Sequence, residues 1–228
     1  VVVSDVARDW GVSEMTIRRD LKALQDQGVL ARVHGGAVAG GALRFRARIG
    51  HQQPEKRCAA HKLVDLIPHG GAIYLDGSTT IYHLADQLAR RGGLLVATNN
   101  VDTFIRVSAH PGIEAVLLGG ALNRETDNLV GPMARRTLAG LSFDAAFFSA
   151  YALDPRCGAC EPAPEDAEIK QMVCERSERV GLAVNRDKLG QRAAATWAAD
   201  PARSVLATDC RPGAPELAPY RPLFAEIL

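Results

Sequence analysis

The sequence contains no long apolar run. Its longest uncharged apolar stretch, residues 145–153, is far shorter than the roughly 20 residues that a membrane-spanning helix needs. The first residues also lack the basic segment and apolar run of a secretion signal. These absences predict a cytoplasmic protein. With 228 residues, of which 47% are hydrophobic and 23% charged, the chain is long enough for one large globular domain and a small appendage.

Cysteine and aromatic residues are scarce as well. Only 5% of the side chains are aromatic, and the five cysteines are an odd number spread along the whole chain. A secreted scaffold held together by disulfides is therefore not expected. Cys157 and Cys160 have the spacing of half a zinc ribbon, but the sequence offers no second pair and no histidine at a motif spacing. Incidental loop cysteines are the favoured interpretation, with a zinc site or a redox pair as alternatives.

Charge is nearly balanced over the whole chain, but its distribution is uneven. The net charge is +1, from 27 basic and 26 acidic residues. Residues 1–53 hold eight basic and five acidic side chains, so the remainder of the chain has a small negative excess. A basic amino-terminal segment on a near-neutral body suggests contact with a polyanion. A solvated basic surface without such a partner is the alternative at this point.

The first 28 residues have the pattern of two helices joined by a tight turn. A helix is predicted from Ser4 to Trp10, and Gly11 ends it because glycine tolerates a left-handed conformation. Ser13 is a suitable N-cap for a second helix. The helical period turns Ile17, Leu21 and Leu24 inward and leaves on the solvent side Met15, Arg18, Arg19 and Lys22. Such a helix-turn-helix inserts its second helix into the major groove of DNA.

A short β-hairpin, the wing of such a domain, is predicted at residues 29–36, with Arg32 and His34 on it. Arginine suits DNA contact because its guanidinium group can bond phosphate oxygens or the O6 and N7 atoms of guanine. The alternative for Arg18 and Arg19 is a charged surface helix on which they pair with neighbouring acidic side chains.

Beyond residue 53 strands alternate with helices, which predicts a largely parallel sheet covered by helices on both faces. The predicted strands are 72–75, 94–97, 113–118, 145–150, 181–185 and 204–207, and the predicted helices are 55–67, 81–88 and 101–108. Residues 38–53, which are rich in glycine, alanine and arginine, are the predicted linker.

Ligands bind to such sheets at the carboxyl ends of the strands. Three loops of small polar residues fall there, at Asp76–Thr80, Thr98–Asn100 and Gly119-Gly120. The first loop opens a helix and offers amide groups, hydroxyls and the positive end of the helix dipole, which favour a phosphate. Ordinary N-capping by Ser78 or Thr79 is the alternative, because the loop lacks the glycine run and the lysine of a P-loop.

Several motifs resemble the DeoR family, bacterial repressors of sugar and nucleoside catabolic operons. Residues 12–21 (VSEMTIRRDL) and 28–37 (GVLARVHGGA) are similar to its DNA-binding signature, and five further segments are similar to its sensor domain: 75–80, 96–100, 118–120, 166–170 and 188–190. The resemblance implies an α/β protein with a winged helix-turn-helix at residues 1–37, a linker at 38–53 and a sensor domain at 54–228. The sensor domain is expected to be similar in fold to ribose-5-phosphate isomerase, and a phosphorylated sugar is expected to release the repressor from operator DNA.

The resemblance also implies roles for individual residues. The expected DNA-contacting residues are Ser13, Met15, Thr16, Arg18, Arg19, Lys22, Arg32 and His34. The expected effector-binding residues are Asp76, Gly77, Ser78, Thr79, Thr80, Asn99, Gly119, Gly120 and Lys188, with the phosphate held by the three hydroxyls of 78–80. A dimer or tetramer is expected because protein symmetry usually matches paired DNA half-sites. No metal or other cofactor is implied.

The competing function is an isomerase or deaminase that acts on a sugar phosphate. Such an enzyme needs a carboxylate as general base. Asp76, Asp144 and Glu168 are candidates, although each also suits a cap, a loop or a surface position. The DNA-binding signature favours sensing over turnover.

The sequence departs from the family pattern at several positions. Asn185 stands where an aspartate is common, Ser149 and Ala152 stand where glycines are frequent, and Cys160 replaces a small hydroxyl residue. These changes predict an altered polar pattern in the effector site. The family usually has a further helix before the point that corresponds to Val1. We therefore expect residues 1–50 to be loosely folded, or the true start to lie upstream.

Overall fold

The computed structural model describes residues 1–26, 30–33, 35–39, 45–49 and 52–228. The chain divides into two compact units, Val1–His51 (the first unit) and Gln52–Leu228 (the second unit). None of the described helices combines the length and the apolar character that crossing a bilayer requires.

The first unit contains the two helices and the hairpin that the sequence predicts. Its elements are α1 (Val3–Trp10), α2 (Glu14–Asp26), β1 (Leu30–Val33), β2 (Gly36–Ala39) and α3 (Phe45–Ile49). Gly11 ends α1 in the left-handed conformation, with a φ of 65°. The small apolar core consists of Val3, Ala7, Ile17, Leu21, Leu30 and Ala37.

One inward-facing residue was predicted wrongly. Leu24 is 36% exposed, because the core of the first unit extends no further along α2 than Leu21. Within the predicted linker, residues 45–49 are helical. Residues 40–44 and 50–51 of that linker lie outside the described residues.

The second unit alternates strands and helices, as predicted. Its strands are β3 (Gly71–Leu75), β4 (Leu94–Thr98), β5 (Ile113–Leu117), β6 (Ala121–Asn123), β7 (Asn128–Val130), β8 (Phe143–Phe148), β9 (Ala152–Asp154), β10 (Gly158–Glu161), β11 (Ser177–Ala183), β12 (Ala195–Trp197), β13 (Ser204–Ala207) and β14 (Glu226–Ile227). Its helices are α4 (Gln53–His61), α5 (Thr79–Leu84), α6 (Val101–Ser108), α7 (Pro132–Ala139) and α8 (Pro164–Glu175). Short 3-10 turns lie at 64–66, 85–90, 186–188, 201–203 and 215–223.

Seven parallel strands form the central sheet in the order β14-β13-β11-β8-β3-β4-β5. The chain runs outward from β3 to β5, returns to β8 and then runs outward in the opposite direction to β14. The strand order therefore reverses between β3 and β8, which is where open parallel sheets bind ligands at the carboxyl ends of their strands. We call this side of the sheet the carboxyl edge. An antiparallel sheet (β12-β10-β9) and the hairpin β6-β7 complete the unit.

Helices cover both faces of the central sheet, so its strands are nearly continuous apolar runs. Ile73 and Leu75 of β3 belong to the core formed with α4 and α5. Tyr74 of β3 and Phe148 of β8 belong to the core formed with α7 and α8. Because alternate residues of these strands belong to different cores, a slip of one residue would exchange the two faces, and the register of β3 against β8 is therefore fixed.

Some element boundaries differ from the predicted ones. The helix predicted at 55–67 ends at His61 and is followed by a 3-10 turn. The strands predicted at 145–150 and 181–185 lie at 143–148 and 177–183. Both strands end earlier than predicted because the polar residues that follow them, Ser149 and Asn185, make side-chain or loop hydrogen bonds at the carboxyl edge.

Candidate functional site

Helix α2 has a polar face that is open to solvent. The Thr16 N–H donates to Ser13 Oγ over 3.1 Å, so Ser13 caps the start of the helix as predicted. Met15 is 75% exposed, and the neighbouring Arg18, Arg19 and Lys22 are exposed as well. Four residues of the predicted DNA-contacting set therefore share one accessible face, while Thr16 is partly buried.

The two arginines of α2 also contact acidic neighbours. An Arg18 nitrogen lies 3.1 Å from Glu14 Oε2, and Arg19 Nε lies 3.8 Å from Asp20 Oδ1. Both are exposed pairs, which add little to stability and exchange readily for another anion. Their presence agrees with the surface-helix interpretation and leaves both side chains accessible to phosphate or base edges.

The predicted wing is an antiparallel hairpin of β1 and β2, with Leu30 opposite Ala39 and Val33 opposite Gly36. Arg32 lies in β1, and its side chain is outside the described part of the chain. His34 is also outside the described residues.

At the carboxyl edge, the loop after β3 holds a buried carboxylate. Asp76 is 1% exposed, and its Oδ2 accepts the Ser149 N–H over 2.7 Å. The same oxygen lies 3.3 Å from Nζ of Lys170. Asp76 therefore joins the ends of β3 and β8 across the reversal in strand order.

Ser149 connects two lysines at this edge. Lys170 Nζ donates to the Ser149 carbonyl oxygen over 2.7 Å, and Lys188 Nζ donates to Ser149 Oγ over 3.1 Å. Lys188 also donates to the Ala150 carbonyl oxygen over 2.7 Å. A glycine at position 149, as the family pattern often has, would lack the hydroxyl that accepts from Lys188. The departure at Ser149 thus changes the surroundings of a predicted effector-binding residue.

Lys170 and Glu161 complete this cluster, and neither was among the predicted effector-binding residues. Lys170 Nζ lies 2.5 Å from Glu161 Oε1, and both side chains are more than nine-tenths buried. Burial alone would lower the pKa of Lys170, but the Asp76 and Glu161 carboxylates outweigh it and raise that pKa. The signal that could have found Lys170 is its spacing of four residues from Asp166, which places both on one face of α8.

The second lysine differs from the first in its electrostatics. Burial lowers the pKa of Lys188 to about 8, against a weaker opposing effect of Glu161. Lys188 forms no ion pair with any described residue, and it donates to a hydroxyl and to a carbonyl oxygen. A cation with neutral acceptors alone is suited to receive an anionic group.

Residues 78–80, which we call the hydroxyl loop, contain one residue with a structural role and two buried threonines. Ser78 Oγ accepts the Ile81 N–H over 3.2 Å, so Ser78 is the N-cap of α5, as the alternative interpretation predicted. Thr79 and Thr80 are 6% and 1% exposed. Oγ1 of Thr80 is buried and has no hydrogen-bond partner among the residues that the structure describes. Buried hydroxyls without a partner are uncommon in folded proteins, which sets Thr80 apart from Ser78.

A second network surrounds the loop after β4. Asn99 accepts from the Tyr74 hydroxyl over 2.9 Å and donates to the Leu129 carbonyl oxygen over 3.2 Å. Asn100 caps α6 and donates to Asn128 Oδ1 over 3.2 Å. A Cβ atom at Gly77 would overlap the Asn128 side chain. Gly77 is therefore required for close packing of these two loops.

The two glycines after β5 adopt conformations that favour glycine, with φ of 73° at Gly119 and 118° at Gly120. A Cβ atom at Gly120 would collide with the Val130 carbonyl group, so Gly120 lets the β6-β7 hairpin approach. Asp166 at the start of α8 anchors the same hairpin by accepting hydrogen bonds from the side chains of Asn123, Thr126 and Asn128.

Two other features of the second unit lie away from this cluster. Cavities of about 460 Å³ open at the amino ends of β3 and β8 and between α4 and α5, and none of the predicted effector-binding residues lines either one. Cys157 lies in the turn between β9 and β10 and Cys160 lies in β10, with their sulfur atoms 3.8 Å apart, and both are free thiols.

Comparison with family models matches nearly the whole chain. Residues 1–40 match the model described as a DeoR-like helix-turn-helix domain, and residues 51–209 match the model described as the DeoR C terminal sensor domain. The second match covers the hydroxyl loop, Ser149, Lys170 and Lys188.

Curated relatives align over most of their own length. The HTH-type transcriptional regulator GlpR of Haloferax volcanii is 31% identical over 211 residues, covering 91% of this chain and 82% of that protein. A lactose phosphotransferase system repressor of Staphylococcus epidermidis is 31% identical over 199 residues, covering 84% and 78%. The uncharacterized HTH-type transcriptional regulator FruR of Bacillus subtilis is 28% identical over 216 residues, covering 92% and 84%.

Two ribose-5-phosphate isomerases are among the solved structures that are similar to part of this chain. The enzyme from Methanocaldococcus jannaschii covers 60% of this chain and 54% of its own, with 14% identity and a TM-score of 0.44. The enzyme from Neisseria gonorrhoeae covers 58% and 52%, with 16% identity and a TM-score of 0.40.

Proposed function

Since this chain belongs to the DeoR family of helix-turn-helix transcriptional regulators, we propose that it is a repressor that a phosphorylated sugar releases from operator DNA. Its domains would be a winged helix-turn-helix at residues 1–37, a linker at 38–53 and an effector domain at 54–228. Operator DNA as the partner implies that the protein acts in the cytoplasm. Paired half-sites in that DNA favour a dimer or tetramer.

The accessible face of α2 supports the DNA-binding half of the proposal. Arg18, Arg19 and Lys22 place three cations on one exposed helical face that starts at the Ser13 cap. Cations so arranged can contact phosphates or base edges in a major groove. The wing would add Arg32 and His34 to this contact.

The electrostatics of Lys188 support the effector half: among the described residues it has neutral hydrogen-bond acceptors and no anionic partner, and the buried Thr80 hydroxyl has no hydrogen-bond partner there. A phosphate supplies charge for the lysine and acceptor oxygens for the hydroxyls of 78–80. The Asp76, Glu161 and Lys170 cluster beside them would receive sugar hydroxyls. The name of the Staphylococcus epidermidis relative, a lactose phosphotransferase system repressor, points to the same effector class.

We further propose that the bound sugar phosphate is sensed and not converted. A general base must be free to accept a proton from the substrate. Asp76 is hydrogen-bonded to Ser149 and paired with Lys170, Asp144 accepts the Ala72 N–H at the opposite edge of the sheet, and Glu168 pairs with Arg135 on the surface. The three carboxylates considered for catalysis thus have structural partners.

A melting experiment tests the effector class. The full chain is unfolded thermally with ribose 5-phosphate, fructose 1-phosphate, galactose 6-phosphate and glycerol 3-phosphate, each beside its unphosphorylated parent. A ligand at 100 times its Kd stabilises the folded state by about 2.7 kcal/mol, which is a visible rise in Tm. A rise with one phosphorylated compound and none with its parent supports the proposal. No rise with any compound contradicts its effector half.

A DNA experiment tests release. A duplex selected from random DNA by the purified chain is titrated by fluorescence anisotropy with and without the stabilising compound. The Thr79→Ala chain is expected to bind this duplex normally and to lose the response, whereas Thr79→Ser, which keeps the hydroxyl, is expected to respond. A normal response in Thr79→Ala would show that the phosphate lies elsewhere. Conversion of the compound to an isomer during the assay would favour the enzyme instead.

A further inference from the structure

The polar turn after β11 carries Lys188, the candidate phosphate ligand, and it also contacts the first residue of the second unit, Gln52. Asn185, Arg186, Asp187 and Lys188 form a single 3-10 turn, closed by the Lys188 N–H donating to the Asn185 carbonyl oxygen over 3.0 Å. Because the turn is so short, a shift of the backbone at Lys188 would also move the backbone that carries Asn185 and Asp187.

Gln52 binds this turn by both ends of its amide. The Asn185 Nδ2 atom donates to Gln52 Oε1 over 2.8 Å, and Gln52 Nε2 donates to Asp187 Oδ2 over 3.0 Å. Asn185 is 1% exposed, and its Oδ1 atom has no hydrogen-bond partner among the described residues, so the bond from Nδ2 to Gln52 is the contact that its side-chain amide makes there. The residue that replaces the family's usual aspartate thus acts here as a donor to Gln52, which a carboxylate at the same position could not do.

Gln52 has an unusual backbone for its residue type. Its φ and ψ are 50° and 43°, the left-handed region, and Asp127 is the other non-glycine residue with positive φ among the described residues. Side chains with a Cβ atom adopt this conformation rarely, unless surrounding contacts hold them there. The two amide hydrogen bonds are such contacts. If they are lost, the backbone at Gln52 can relax to an ordinary conformation.

Because Gln52 lies at the boundary between the two units, relaxation of its backbone would affect the residues that precede it. Gln52 is the first residue of the second unit, and residues Val1–His51, which include the helix-turn-helix, directly precede it. A change in its backbone dihedrals changes the direction in which the chain leaves the second unit. A ligand can shift a two-state element of this kind only if it contacts the two states differently.

We propose that Gln52 is a positioning residue, a latch whose release by effector binding at Lys188 alters the path of the chain toward the DNA-binding unit. This inference rests on the proposed function. Without effector, Lys188 is bonded to Ser149 and Ala150, and the turn holds Gln52. An incoming phosphate draws the Lys188 ammonium toward itself, the turn follows, and the hydrogen bonds of Asn185 and Asp187 to Gln52 break.

The test uses the full chain with the stabilising sugar phosphate and the selected duplex described above. Gln52→Ala is compared with the wild-type chain and with Gln53→Ala, a change at a neighbouring glutamine whose side chain makes no hydrogen bond with any described residue. Two quantities are measured, the rise in Tm on adding the sugar phosphate and the ratio of DNA affinities without and with it. Couplings of this type change affinity by roughly 5-fold to 150-fold.

The latch predicts that Gln52→Ala keeps the rise in Tm and loses the change in DNA affinity, while Gln53→Ala keeps both. Gln52→Gly also loses both side-chain hydrogen bonds, but glycine adopts the left-handed conformation without strain. If the Gln52→Ala chain folds poorly, the Gln52→Gly chain takes its place, and it is expected to keep the rise in Tm and to lose the change in DNA affinity. Asp187→Asn retains an acceptor for Gln52 and should respond, whereas Asp187→Ala should not. A purely structural role would lower Tm and leave the affinity ratio unchanged.

Three results would overturn the latch, and they are distinguishable. A Gln52→Ala chain that binds the sugar phosphate and releases DNA like the wild type removes the latch and leaves the proposed function intact. Loss of the Tm rise in Gln52→Ala would make Gln52 part of the binding site itself. A wild-type chain that no sugar phosphate stabilises overturns the effector proposal, and the latch with it.

Discussion

Lys170 of α8 and Glu161 of β10 face each other as a buried ion pair, with 2.5 Å between Nζ and Oε1. The same ammonium group lies 3.3 Å from Asp76, so one cation balances a carboxylate of the loop after β3 and a carboxylate of β10. Removing one member of a buried pair leaves an uncompensated charge in a poorly solvated site. The cluster is therefore sensitive to loss of Lys170.

We predict that Lys170→Met lowers the free energy of unfolding by about 3–5 kcal/mol, because two buried carboxylates lose their counter-ion. Urea denaturation measures this change. Arg135→Met is the control, since Arg135 pairs with Glu168 at 2.7 Å on the surface and should cost less than about 1 kcal/mol. Equal losses in the two variants would mean that the buried ion pairs of Lys170 contribute no more to the free energy of unfolding than an exposed ion pair does.

A second prediction concerns the close approach of two loops at Gly77. A Cβ atom there overlaps the Asn128 side chain, so Gly77→Ala should destabilise the second unit by about 1–3 kcal/mol through overpacking. At Gly92, a Cβ atom would meet nothing within 4 Å, and Gly92→Ala should change stability by no more than about 0.5 kcal/mol. Thermal unfolding of both variants decides the matter, and an unaffected Gly77→Ala protein would show that the loops can separate without cost.

The lowered pKa of Lys188 predicts a pH dependence of effector binding. Phosphate binding requires the protonated amine, which the unliganded protein loses above about pH 8. Affinity for the sugar phosphate, measured by calorimetry between pH 7 and 9.5, should therefore fall by up to about tenfold per pH unit above that value. Lys188→Arg should flatten the profile because arginine stays charged. A flat wild-type profile would contradict the assignment of Lys188 to the phosphate.

The lowered pKa of Lys188 also makes the stability of the unliganded protein depend on pH, in the direction opposite to that of effector affinity. The folded protein holds Lys188 at a pKa below its ordinary value of 10.5, so folding disfavours the charged form. The unliganded protein should consequently gain stability as pH rises from about 8 to 10.5. Comparing wild-type and Lys188→Met unfolding over this range isolates the contribution of Lys188.

The exposed face of α2 gives a prediction for DNA affinity. If Arg19 makes a bidentate contact to a base, Arg19→Ala should weaken binding to the selected duplex by about 1–3 kcal/mol at fixed salt. Arg8 on α1 is similarly exposed and is paired with Asp5 at 3.0 Å, so Arg8→Ala is the matched control. A loss of the same size in both variants would indicate general charge attraction, and no loss at Arg19 would leave that side chain a surface residue.

The sequence was sufficient to predict the central sheet because its strands are buried on both faces. Runs such as 94–97 and 205–207 are apolar without interruption, and the polar loops that follow parallel strands must meet at one edge. Asp76 and Lys188 were placed at this edge on that ground and by the family resemblance, and both contact Ser149 there. Their roles toward a ligand stay predictions.

Other parts of the structure could not be read from local patterns. Strands β9, β10 and β12 have three or four residues each, and β10 pairs with β12 over a long separation in sequence, so local patterns do not mark them as a sheet. Glu161 meets Lys170 because α8 begins just after β10 and packs back along it. Leu24 has the helical spacing of a core residue, yet whether it is covered depends on how far the neighbouring elements extend.

The reversal of strand order between β3 and β8 divides the carboxyl edge between two halves of the chain. The hydroxyl loop belongs to the half that ends with β5, whereas Glu161, Lys170 and Lys188 belong to the half that begins with β8. One half therefore supplies neutral hydrogen-bonding groups and the other supplies most of the charge. At the proposed effector site, substitutions within residues 149–190 would therefore change the charge that a ligand meets and leave the threonine-bearing loop, and the helix that it starts, as they are.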